Sequence, residues 1–119
     1  MSTGQRLLDL SKRLYPINRS LTGDGVRQSL AILNEVVPLK VYEIPTGKSV
    51  FDWEIPPEWN VRTAYVSDST GNKVIDFERH NLHLVGYSAP VDRRMDLAEL
   101  DKHLHSLPEQ PDAIPYITS

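Results

Sequence analysis

The sequence contains no cysteine in 119 residues, which excludes disulfides, thiolate zinc sites, iron–sulfur clusters and a cysteine nucleophile. Long apolar runs are missing too; nowhere do the roughly 18 consecutive apolar residues of a membrane span occur. Up to Pro16 the apolar residues are broken by Asp9, Ser11, Lys12 and Arg13, so there is no signal-peptide core. A cytoplasmic location is the default expectation. Clustered positive charge is also absent. Residues 1–60 carry seven basic and seven acidic groups, residues 61–119 six and nine, and the net charge is −3. Neither nucleic acid nor an anionic membrane is expected as a partner, because both require clustered Lys and Arg. There is no Gly-x-Ser-x-Gly elbow and no phosphate loop; Gly47-Lys48-Ser49 lacks the upstream glycine and a following helix. The one excess is proline, nine residues, or about 8% against a usual ~5%. A chain of this length fits one domain, or one domain plus a fragment of another.

Hydrophobic period divides the chain. Leu7, Leu10 and Leu14, widened by Leu8, predict a helix from about Gln5 to Tyr15, ended by Pro16. Val26, Leu30, Leu33 and Val37 predict a second from about Gly23 to Val37, with Thr22 as its N-cap and Pro38 as its stop. The period then changes to two. Leu39 to Ile44 reads as a strand, and Val50 to Ile55 as another with Phe51, Trp53 and Ile55 on its inward face. Val61 to Ser67 and Lys73 to Phe77 flank Asp68-Ser69-Thr70-Gly71-Asn72, a hairpin turn. His83 to Tyr87 reads as a further strand. Asp96 and Glu99 form a capping box that opens a helix to about His105. The expected class is α+β: a helical hairpin, then a small antiparallel β-rich module and one short helix. The proline-rich end finishes on Ile114, Tyr116 and Ile117. These either fold back on the β-module or lead into something longer.

Few residues suggest chemistry. His80 and His83, three apart on a strand, point to opposite faces, and His103 and His105 are poorly spaced on a helix, so neither pair predicts a metal site. Asp52 with Glu54, and Asp76 with Glu78, read as the solvated side of amphipathic strands. The loop Asn18 to Gly25 is the most site-like segment. Arg19, Ser20, Thr22 and Gly23 offer a cation, two hydroxyls and open backbone at a helix N-terminus, an anion-friendly arrangement, though an ordinary capped turn explains the same residues. Trp53 and Trp59 around Pro56-Pro57 form either a recognition patch or core.

Several strings taken in order resemble one family. Leu14-Tyr15-Pro16-Ile17-Asn18-Arg19-Ser20-Leu21-Thr22-Gly23-Asp24-Gly25-Val26-Arg27 is similar to the N-terminal signature of the bacterial polysaccharide-biosynthesis proteins with an aminopeptidase-like domain. Val50 to Asn60, Gly71 to Phe77, Asn81-Leu82-His83 and Leu107 to Tyr116 resemble its following blocks. The resemblance implies a longer protein whose main domain is like the two-metal zinc exopeptidases, with a small β-rich module of unknown function inserted near its start. Residues 1–45 would be the helical hairpin and first strand of the peptidase-like domain, 46–107 the module, and 108–119 a connector to a missing remainder. The family's metal ligands follow the position of Ser119, so no catalytic or metal residue and no cofactor are expected in this chain. Zinc is expected in the full-length family, where a metal-bound hydroxide would attack a peptide or amide carbonyl.

Two functions are therefore expected. One is the N-terminal, catalytically incomplete portion of a zinc-dependent aminopeptidase-like hydrolase, with the β-module shaping or covering the cleft. Its partner is the remainder of that domain, or a second copy through self-association. The other is a non-catalytic protein- or saccharide-binding module.

Overall fold

The computed structural model describes residues 2–117. Helix α1 spans Thr3–Leu14, with Ser2 as N-cap accepting from the Gln5 backbone N–H at 3.2 Å. Helix α2 spans Asp24–Asn34. A two-stranded antiparallel hairpin follows, β1 (Ser49–Val50) with β2 (Trp53–Glu54). A second hairpin pairs β3 (Tyr65–Ser67) with β4 (Lys73–Asp76). A 3₁₀ turn at Asn81–His83 and helix α3 at Leu97–Asp101 complete the order. The α+β class is as expected from the sequence. The chain divides into two compact units between Ala64 and Tyr65.

In the first unit, Leu10, Leu14, Val26, Leu30 and Leu33 are partly buried, while Leu7 and Val37 are exposed. Helix α2 is shorter at its end than the pattern predicts, because Leu39 N–H turns back to Asn34 Oδ1 at 2.8 Å and closes the C-terminus early. Its N-cap is Gly23, not Thr22, and no side chain of the cap residue bonds the helix. The segment Leu39 to Ile44 is not a strand of either hairpin.

Val50 to Ile55 is not one strand either. It folds back at Phe51-Asp52, where Phe51 takes a positive φ of 53°. The turn removes the shared inward face. Phe51 is fully exposed (101%), Trp53 is half exposed (52%), and only Ile55 is buried, at 8%. The stem is well paired all the same. Gly47 N–H donates to Ile55 O at 2.9 Å, Ile55 N–H to Lys48 O at 3.0 Å, and Thr46 Oγ1 to Pro56 O at 3.1 Å.

In the second unit the hairpin turn forms where the sequence places it. Asp68 Oδ1 accepts from Thr70 N–H (2.8 Å), Thr70 Oγ1 (2.7 Å) and Asn72 N–H (3.0 Å), and Gly71 supplies a φ of 89°. Asp96 caps α3 through Glu99 N–H at 2.8 Å. The helix stops at Asp101 because its last amides bond three residues back, tightening the chain into 3₁₀ turns. His83 to Tyr87 is not a strand. Ser88 N–H and Oγ both bond Val85 O, and Tyr87 sits at φ 63°, which is a turn.

Little is buried in either unit. Ile55 is the one buried hydrophobic residue among those described, and the accessible surface is 10113 Å². A folded monomer of 13.5 kDa exposes about 6,500 Å² by size scaling, and two separate domains of half that mass about 7,900 Å². Large apolar side chains stand exposed on this surface, including Leu21, Tyr42, Val91, Leu97 and Tyr116. Ile114 and Ile117 are exposed as well.

Candidate functional site

The site-like loop meets the segment that follows the first hairpin. Ser20 Oγ lies 2.6 Å from Thr22 O and 2.9 Å from Trp59 O. Trp59 N–H donates back to Thr22 O at 3.3 Å, and Thr22 Oγ1 to Pro57 O at 3.4 Å. Asn60 Oδ1 accepts from Asp24 N–H at 2.8 Å. A residue 36 positions away thus performs the capping that the sequence assigns to Thr22. Gly23 is buried at φ 152°, and a Cβ there would meet Asn60 Oδ1 at 2.7 Å and Trp59 O at 2.9 Å. A Cβ on Gly25 would lie 1.8 Å from Asn18 O. Both glycines are required by close backbone approach.

Charge reinforces the same junction. Arg27 grips Glu58 with both terminal nitrogens, one at 3.0 Å, and also reaches Asp24 at 3.1 Å and Glu43 at 3.5 Å. The hydrogen bond from Arg27 holds the Glu58 carboxyl below its ordinary range, with a smaller contribution from Asn60. Arg19 Nη1 donates to Leu14 O at 2.8 Å, an end carbonyl of α1, and lies 3.3 Å from Ser29 Oγ. Buried Ser29 donates to Gly25 O at 2.8 Å. The structure therefore brings Arg19, Ser20, Thr22 and Gly23 together, and engages Arg19 Nη1, Ser20 Oγ and Thr22 Oγ1 in intramolecular bonds. This geometry favours a clamp over an open anion pocket.

Trp59 lies in this clamp, partly buried, whereas Trp53 sits half exposed on β2. Asn60, Glu58 and Arg27 were not singled out as site residues from the sequence. The Arg27–Glu58 and Asp24–Asn60 bonds span 31 and 36 positions, and no local pattern marks them.

A polar cluster in the second unit centres on Asp76. Buried Asp76 accepts from Glu78 N–H at 3.1 Å and Lys73 Nζ at 3.1 Å, and the Glu78 amide is the main reason its carboxyl lies low. His83 Nδ1 donates to Asp76 O at 3.0 Å, and His80 Nδ1 accepts from Leu82 N–H at 3.2 Å. The two rings lie 5.5 Å apart. The expectation that they face opposite ways is corrected: positions three apart eclipse on a 3₁₀ turn, while they diverge on a strand. No group of three or more His, Cys, Asp or Glu able to hold a metal occurs among the described residues. Nor is any helix there long and apolar enough to cross a membrane.

Two short hairpins and three helices, with little core, define a small α+β module among the described residues. A family profile described as a domain of unknown function (DUF2172) matches residues 58–119, over half of the chain, and the chain belongs to that family. It is 48% identical over 117 residues to the N-terminal part of a candidate polysaccharide biosynthesis protein with aminopeptidase-like domain from Clostridium acetobutylicum. That match covers 98% of this chain and 27% of the relative. The crystal structure of a candidate peptidase from the same species matches with a TM-score of 0.94 at 48% identity, over 98% of this chain and 28% of that one. The chain spans about a quarter of the length of these relatives.

Proposed function

We propose that this chain is the N-terminal, catalytically incomplete portion of a zinc-dependent aminopeptidase-like hydrolase. One observation carries the reading. High identity and a near-identical fold are confined to 27–28% of proteins named for an aminopeptidase-like domain or a peptidase. In this reading residues 1–45 belong to the peptidase-like domain, 46–107 form an inserted module that shapes or covers its cleft, and 108–119 connect to the remainder. Those boundaries concern descent; the division at Ala64 and Tyr65 concerns packing. Zinc does not fit the described residues, which offer no three-ligand group, so no catalytic step is assigned to them. The partner is the remainder of the aminopeptidase-like domain, self-association is the competing arrangement, and the cytoplasm is the compartment. The large exposed apolar surface supports a covering partner.

The test compares the 119-residue chain with the full-length relative in zinc content and hydrolysis of aminoacyl substrates. The chain alone is expected to show neither at micromolar metal, and the relative both. Stoichiometric zinc on the isolated chain, or a relative with no metal-dependent hydrolysis, refutes the proposal.

A second reading draws on the hairpin tip. Phe51 and Trp53 stand out from a well-paired stem, as aromatic anchors of a protein- or saccharide-binding module do. Titration with oligosaccharides and peptides, followed by tryptophan fluorescence, tests it. An unchanged spectrum counts against it.

A further inference from the structure

No further inference is drawn: the strongest candidate, the exposed aromatic tip of the first hairpin at Phe51 and Trp53, belongs to the second reading above, and nothing in the structure shows what covers it.

Discussion

In the unit ending at Ala64, Ser20 bonds Trp59, Asp24 bonds Asn60 and Arg27 bonds Glu58, across 31 to 39 positions. In the unit beginning at Tyr65, Asp68 bonds Thr70 and Asn72, and Asp76 bonds Glu78, across two to four. The first arrangement is a tertiary clamp between a loop and a distant segment; the second is a chain of local turns. Long-range bonds carry a loop-closure cost that local ones avoid, so the clamp depends on close fit, whereas the turns depend on single side chains. Both tryptophans lie in the first unit, so their fluorescence follows that unit alone.

The largest expected effect is Gly25→Ala. Helix propensity alone gives a gain of about 1 kcal/mol, but the Cβ would collide with Asn18 O, and a loss of about 3 kcal/mol or more is expected. A urea titration followed by fluorescence decides the sign; a gain would dissolve the contrast between the units. Trp53→Ala comes next, at about 1.5–2 kcal/mol, because half of the side chain is already in water. The inward face read from the sequence would have cost about 3–5 kcal/mol, and a value in that range would restore it. Asn60→Ala removes the remote cap of α2 and is expected to cost about 1 kcal/mol, with faster amide exchange at Asp24. No change at Asp24 would mean that water serves the cap equally well.

Acid is expected to act more gently, on the turns. Asp68 and Asp76 are held below the ordinary 3.8 by hydrogen bonds, chiefly from Thr70 and from the Glu78 amide respectively. A depressed carboxyl contributes stability that is complete above the unfolded value and lost as pH falls through the folded one. The Thr70 and Asn72 amide resonances should therefore hold steady above about pH 4–5 and move below 3.8; a midpoint at or above 3.8 contradicts the assignment. Phe51→Gly is the smallest effect, a gain of about 0.5 kcal/mol, from relief of a positive φ in a side chain that contacts little. A loss in the isolated chain would mean that Phe51 packs after all.

What could be read from the sequence follows the same divide. The Asp68 turn and the Asp96 cap were legible because donor, acceptor and turn residue sit within four positions. Both helices were legible from their period. The cap of α2 was not, since Asn60 reaches Asp24 only through the fold. The first hairpin was misread because Val50 to Ile55 alternates straight across its turn, and Phe51 is not a residue that signals positive φ. The loop of Arg19, Ser20, Thr22 and Gly23 was legible as a segment rich in hydrogen-bonding and turn residues, but its bonds to residues near 60 leave no local trace.

The remote cap also sets an order of events on the ribosome. Helix α2 emerges before Asn60, and its first amide lacks that acceptor until 36 more residues have been added. At roughly 5–20 residues per second, this interval is about 2–7 s. The Tyr65–Asp76 hairpin, by contrast, needs only its own twelve residues and closes within about 1–10 μs once they are free. The nascent chain thus carries an uncapped helix through a window of seconds. The first unit is completed only as the second begins to appear.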